Sequence, residues 1–327
     1  MRYTRFPGYI QIATQNLLKI ANEMLERPVI SSPAESSMAN RITAISIGMP
    51  VYNGAKYIGQ ALDSLLAQTF LDFELIISDN ASTDDTETIC QSYERLDSRI
   101  RYVRQAGNLG ALANFQFVLD QAKGPFFMWA AADDLWDNQW VETLYLQIRD
   151  DKTVAAFGEL VHIDANASPL THPANGAKLH FEGARLRRKL AFYLAYEGMG
   201  KANLFYALYP RDLLKCIELR PGLLDYQILF ALLDHIAYVP VKGPKFHKRI
   251  HGDSEGVSAD NLWRSPIVLA PARLLRRDFQ ITTHYLQNAS PGLQLILLLL
   301  APFKLLETLM FRVTQCASML PNWLQLR

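Results

Sequence analysis

The chain has 327 residues, half of them hydrophobic, and a formal net charge of +1 from 33 basic and 32 acidic side chains. That much apolar content can bury a substantial core, so global disorder is excluded, and the length suits one large domain or two modest ones. Charge this balanced leaves no electrostatic footprint for nucleic acid, and any recognition of phosphate must be local.

Residues 1–25 have no long apolar core and no small-residue cleavage site, which argues against a secretory signal. The loosely helical spacing of Ile10, Ile12, Leu17, Leu18, Ile20 and Leu25 predicts a short amphipathic helix. Arg27 to Asn40 is rich in Pro, Ser and Ala and reads as a linker, so the folded region is expected to start near Arg41, with Met38 an alternative start. Three cysteines, Cys90, Cys216 and Cys316, lie far apart with no CxxC pair, which fits free thiols in a reducing, cytoplasmic setting and gives no zinc signature. The Asn-Ala-Ser triplets at Asn80, Asn166 and Asn288 are short enough to arise by chance.

From Ile42 onward strands and helices alternate. An apolar, β-rich run ends in Pro50-Val51-Tyr52-Asn53-Gly54, and 55–67 has helical spacing. A second strand over 74–78 precedes a polar loop and a helix over 86–96. A third unit has a strand over 100–104, a loop over 105–110 and a helix over 111–121. A fourth strand over 125–130 leads into Asp133-Asp134. This order predicts an α/β fold with a helix-covered, mainly parallel sheet, and such sheets bind ligands beyond the carboxyl ends of their strands. Pro50, Tyr52, Asn53, Asp79, Asn80, Asn108, Gly110, Asp133 and Asp134 all fall on those loops. Together they could hold a base, a ribose, a diphosphate and a metal. Singly, Asn53-Gly54 and Ser82-Thr83-Asp84 are also ordinary turn and cap chemistry. The adjacent carboxylates Asp133 and Asp134 close an aromatic, apolar stretch, where mutual repulsion and lost hydration call for a compensating cation. No G-x-G-x-x-G follows the first strand, which argues against a dinucleotide-dependent oxidoreductase.

From about Ile45 to Ser254 these motifs resemble the inverting family 2 glycosyltransferases, whose GT-A fold binds nucleotide-diphospho-sugars. The family's P-x-Y-N is similar to Pro50-Val51-Tyr52-Asn53, and its strand-ending aspartate with an S-T-D turn is similar to Ser78-Asp79-Asn80-Ala81-Ser82-Thr83-Asp84. By that resemblance Asp79 would bind the base, with uracil favoured, although Asn80 and Ala81 stand where the family commonly has aspartate and glycine. Asn108-Leu109-Gly110, with Asn114 one helical turn on, resembles the N-x-G element of the donor pocket. Ala131 replaces the first aspartate of the metal motif, and Ala132-Asp133-Asp134 resembles its shorter form. Asp133 would then approach the ribose or diphosphate, and Asp134 would hold Mg²⁺ or Mn²⁺. Arg249 and His251 resemble the family's R-x-H, with Arg249 implied to pair with phosphate and His251 to complete the metal shell or touch the diphosphate.

The family's Glu-Asp pair before an aromatic reads Leu224-Asp225-Tyr226 here, so the resemblance makes Asp225 the catalytic base. Asp234 is its rival, and a helix cap is the structural alternative. An inverting transfer needs one carboxylate to take the acceptor's proton, with the metal in place of a second acid. The implied activity is metal-dependent transfer of a sugar from a nucleotide diphosphate, UDP being favoured, to a glycan or lipid-linked glycan acceptor. Surface polysaccharide or O-antigen synthesis for the cell envelope is the implied setting. A non-catalytic nucleotide-sugar-binding protein of the same fold is the alternative, kept open by Ala131 and Leu224.

The expected division is a helix and linker over 1–40, a catalytic region over 41–256 with its nucleotide half at 41–135 and its acceptor half at 136–256, and a helical region over 257–327. Aromatics in Ala202 to Leu214 could stack on sugars, although core packing is expected for at least two of Phe205, Tyr206 and Tyr209. Pro302, Lys304 and Glu307 interrupt the apolar run from Pro291 to Phe311 too often for a spanning helix. Two readings remain for it. One is an interfacial helix on the inner face of the cytoplasmic membrane, with basic Arg273, Arg276 and Arg277 before it and Lys304 and Arg312 within or beyond it; the other is a helix packed on the catalytic region or on a second subunit of a homo-oligomer.

Overall fold

The computed structural model describes residues 43–195, 197–215, 217, 219, 225–252, 282–287 and 289–306. The expectations for residues 1–40, Leu224, Cys216, Cys316, Arg273, Arg276, Arg277 and Arg312 lie outside the described residues.

Strand β1 (Ile45–Val51) is buried along its whole length, as its uninterrupted apolar run demands. Helix α1 (Ile58–Leu66) buries Ile58, Ala61, Leu62 and Leu65 at helical spacing. It begins later than the periodicity suggests, because the backbone N–H groups of Tyr57 and Ile58 both donate to the Gly54 carbonyl and close a turn first. Then follow β2 (Phe73–Asp79), α2 (Thr86–Leu96), β3 (Ile100–Arg104), α3 (Ala111–Asp120) and β4 (Phe126–Trp129). Strands β1 to β4 are parallel in the spatial order β3-β2-β1-β4, and the short β7 (Tyr209–Pro210) extends that sheet antiparallel to β4. Gly48 lets α3 approach β1, since a Cβ there would lie 2.7 Å from both Val118 and Phe127.

A second, three-stranded sheet has the order β5-β8-β6, from β5 (Leu135–Trp136), β6 (Val154–Ile163) and β8 (Ala237–Arg249). Strand β5 runs antiparallel to β8 with Leu135 opposite His247. Because β5 directly follows Asp133-Asp134, this register carries the far end of β8 up to the acid pair.

The remaining elements are α4 (Trp140–Ile148), which packs on β6 and β8, α5 (Arg185–Leu194), a 3₁₀ segment (Lys201–Tyr206), α6 (Arg211–Leu214) and α7 (Asp225–Leu232). Phe205 and Tyr209 are core residues, Phe205 stacking on Trp129 with ring centroids 4.4 Å apart. Core packing therefore accounts for two of the three aromatics singled out in that stretch, and Tyr206 alone borders the candidate site. The carbonyls closing α5 are satisfied by two buried lysines, Lys201 donating to Phe192 and Ala195 and Lys304 to Tyr193. Lys304 belongs to a helix over 291–306 that buries Leu293 and Leu297 and exposes Leu295, Leu298, Leu299 and Phe303. Among the described residues no helix is long and apolar enough to cross a membrane.

Candidate active site

The loops after β1, β2 and β3 are sewn together by hydrogen bonds that involve side chains. Asn53 has a left-handed φ of 52°, its N–H donates to Ser82 Oγ, and its side-chain oxygen accepts from the Thr83 N–H at 2.8 Å. Gly54 N–H donates to Thr86 Oγ1 and Ala55 N–H to Asp84. Burial works against the charge on Asp84, but hydrogen bonds from Thr86 and Ala55 outweigh it and hold the carboxyl below its usual range. On the next loop Asn80 Nδ2 donates to Asn108 Oδ1, while Asn80 Oδ1 accepts from the Leu109 N–H, so Asn80 fixes the Asn108–Gly110 element. Gly110 caps α3 with φ 83°, a conformation that favours glycine. Tyr52 is half exposed at the rim and Pro50 is buried inside β1.

Three expected donor-site residues are spent on internal partners. Asp79 is fully buried: one oxygen accepts from the Ser82 N–H, the other from Tyr102 Oη at 2.7 Å and Arg104 at 2.8 Å. Asn114 is locked back onto β2, accepting from Ser78 Oγ and donating to the Ser78 carbonyl. Arg249 departs furthest from expectation. Its guanidinium is fully buried and donates to the carbonyls of Asp133, Asp164 and Ala165 and to Gln60 Oε1, while lying over the Tyr57 ring at 4.7 Å. In this geometry Arg249 ties the Asp133 loop to the loop after β6 and to α1, and each of its side-chain nitrogens already has a protein partner.

Asp133 and Asp134 behave differently from one another. Asp133 is partly exposed, and His251 Nε2 lies 3.0 Å from its Oδ2, so His251 partners the outer acid rather than Asp134. Asp134 is fully buried; Oδ1 accepts from the Arg249 N–H at 2.8 Å and Oδ2 from Lys248 Nζ at 3.1 Å. Burial drives the Asp134 carboxyl up to about 7 against the pull of Lys248, with Asp133 adding to the rise. Partial burial works against the Lys248 ammonium, but Asp134 holds it well above its ordinary range.

Helix α7 packs on the 3₁₀ segment that ends at Tyr206, and Asp225 stands exposed in the first turn of α7. Burial raises the Tyr206 phenol, and although Lys248 opposes this, the charges of Asp134, Asp225 and Asp133 add to the rise. All three carboxylates therefore lie within electrostatic reach of one hydroxyl. Lys248 Nζ sits 5.2 Å from the same ring. Asp234, the rival base, is engaged by Lys189 at 2.6 Å beyond the other end of α7. Tyr206 was singled out from sequence only as one of three aromatics that could stack on a sugar, and Lys248 was not singled out; its one signal was its place beside Arg249, whose meaning depends on the pairing of β5 with β8.

The family description that matches residues 46–217 is Glycosyl transferase family 2. The chain belongs to that family. Among curated relatives of this family 2 glycosyl transferase, GlyG of Streptococcus pneumoniae is 30% identical over 120 residues, covering 37% of this chain and 40% of GlyG. TuaG of Bacillus subtilis, named for teichuronic acid biosynthesis, is 35% identical over 105 residues, covering 32% and 42%. The matches thus span about two-fifths of the length of these relatives. The fold is similar to that of S. aureus TarS in complex with UDP-GlcNAc, with TM-score 0.53, 18% identity, and coverage of 75% of this chain and 67% of that one. It is also similar to a Pyrobaculum calidifontis mannosyltransferase in complex with GDP-Man and Mn²⁺, with TM-score 0.50, 17% identity, and coverage of 93% and 82%. The family match contains all four strand-end loops and stops before Asp225, Lys248, Arg249 and His251.

Among the described residues no three metal-type ligands are grouped to hold an ion by themselves. The acid pair supplies hard oxygen donors of the kind Mg²⁺ and Mn²⁺ favour, at the mouth of a parallel sheet. The donor type fits such an ion, while both oxygens of Asp134 are engaged by Lys248 and the Arg249 N–H.

Proposed function

We propose that this protein transfers a sugar, with inversion, from a nucleotide-diphosphate sugar to an acceptor hydroxyl. The single observation that carries this reading is that the acid pair lies beyond the parallel strands, bridged by Lys248 to the Tyr206 ring, while the helix that opens with Asp225 packs on the segment ending at Tyr206. The loops holding Tyr52, Asn53, Asn108 and Gly110 would receive the nucleoside, with Asp79 and Asn114 bracing them from beneath. UDP is the favoured nucleotide, supported by the UDP-GlcNAc of the TarS complex. Asp133 would meet the ribose or diphosphate, with His251 orienting its carboxylate. Asp134 would hold Mg²⁺ or Mn²⁺, in keeping with the Mn²⁺ of the Pyrobaculum complex, and that ion supplies Lewis-acid stabilisation of the departing diphosphate.

Asp225 is the proposed base. It stands exposed in the first turn of α7, where an acceptor hydroxyl could reach it. It would take the hydroxyl proton of the acceptor as that oxygen attacks the anomeric carbon from the face opposite the diphosphate. The arrangement asks for no second protein acid, unlike the carboxylate pairs of glycosidases.

The acceptor would be a glycan or lipid-linked glycan of the cell envelope, a reading supported by the name of TuaG. Peripheral attachment to the inner face of the cytoplasmic membrane would use the exposed Leu295, Leu298, Leu299 and Phe303 of the helix over 291–306. A thermal-shift screen of UDP, GDP and their sugars, with and without Mn²⁺, tests donor binding. A metal-enhanced shift with UDP is the expected result. No shift with any nucleotide diphosphate would refute the reading.

A further inference from the structure

Lys248 has a position that the proposed transfer does not yet use. Its ammonium rests on Oδ2 of Asp134, the carboxylate assigned to the cation, and its side chain remains about one-quarter exposed, at 24%, while Asp134 is sealed at 0%. The other oxygen of Asp134 is held by the Arg249 N–H, whose strand cannot withdraw without breaking β8. Lysine is the movable partner. It carries a compact charge on a flexible four-carbon stem, whereas the neighbouring Arg249 has every side-chain nitrogen committed to the protein.

We propose that Lys248 is a diphosphate-binding residue that also serves as the resident counter-ion of Asp134, leaving the carboxylate for the diphosphate when the nucleotide and its divalent ion arrive together. This inference rests on the proposed function and assigns a role that the family motifs leave blank. A buried carboxylate beside a second acid is costly to leave uncompensated, and Lys248 neutralises it while the site is empty. A bare divalent ion must displace that ammonium and finds few other ligands, so it binds poorly alone. A nucleotide diphosphate changes the balance by offering oxygens to the ion and a new anionic partner to Lys248. During transfer the bond between the anomeric carbon and the phosphate oxygen breaks, its electron pair stays on that oxygen, and the acceptor proton passes to Asp225. The diphosphate gains one negative charge, which the ammonium of Lys248 is placed to offset.

The test measures Mn²⁺ binding by electron paramagnetic resonance, and UDP and UMP binding by calorimetry, on the full chain. Lys248→Met should bind Mn²⁺ without nucleotide at least tenfold more tightly than wild type. It should also lose at least tenfold in affinity for UDP with Mn²⁺, and less than threefold for UMP. Should Lys248→Met fail to fold, Asp134→Asn gives a second route. That variant frees Lys248, so its UDP affinity in EDTA should rise at least threefold, and adding Lys248→Met in the same background should abolish the rise. The inference is overturned if Mn²⁺ affinity and the UDP-to-UMP ratio of Lys248→Met stay within twofold of wild type, or if UDP affinity in EDTA ignores Lys248. Failure of wild type to bind any nucleotide diphosphate with Mn²⁺ would instead remove the functional reading, and this inference with it.

Discussion

Replacing Arg249 with methionine separates a structural tie from a phosphate ligand. The guanidinium is fully buried and donates to the carbonyls of Asp133, Asp164 and Ala165 and to Gln60, so its removal strands several buried acceptors at once. Hydrogen bonds to charged groups contribute about 1.5–3 kcal/mol each, but relaxation and water entry recover part of that, so a total loss of about 3–5 kcal/mol is expected. Methionine restores much of the packing on Tyr57 but none of the donors. Urea denaturation followed by circular dichroism should show the midpoint falling with little change in slope, and the melting temperature should drop by roughly 10 °C. Nucleotide affinity at a temperature where the variant is folded should fall only modestly, through loosening of the Asp133 loop. Unchanged stability with collapsed affinity for UDP over UMP would refute the reasoning and return Arg249 to the diphosphate.

Asp79→Asn removes the charge that binds Arg104 and Tyr102, and about 2–3 kcal/mol of stability should be lost in urea denaturation; an intact midpoint with lost nucleotide selectivity would mean that Asp79 reads the base directly. His172 lies against His162 with ring centroids 3.7 Å apart, and burial, aided by His162, pushes its pKa down to about 4. The unfolded chain takes up this proton first, so the contribution is complete above about 6.5 and is lost as pH falls towards 4, and stability should decline between pH 7 and pH 5. His172→Gln should flatten that part of the stability profile, and an unchanged profile would contradict the assignment.

The parallel half of the fold was legible because its signals are local. The strand and helix over 100–104 and 86–96 follow the apolar pattern without shift, and the loops at the strand ends could be placed on one edge from strand order alone. The site was legible only in part. That Asp79, Asn114 and Arg249 are saturated by their neighbours depends on contacts between distant segments, such as Arg249 with Gln60 across 189 positions. The ion pair of Lys248 with Asp134 spans 114 positions and exists because β5 pairs with β8, a register no local pattern specifies. Residue type identified the chemistry available, and tertiary pairing decided which groups remain free to use it.

The central claim is tested most directly by release of nucleotide diphosphate from a nucleotide-diphosphate sugar in Mn²⁺, comparing wild type with Asp225→Asn. Asp225 is exposed at the start of α7, so the substitution should leave folding and donor binding intact. Wild type should turn over slowly with water and faster with a glycan acceptor, and Asp225→Asn should bind the donor with unchanged affinity while losing at least a hundredfold in rate, in the range expected for a general base. Equal rates for the two proteins, or no release from any nucleotide sugar by wild type, would contradict the account.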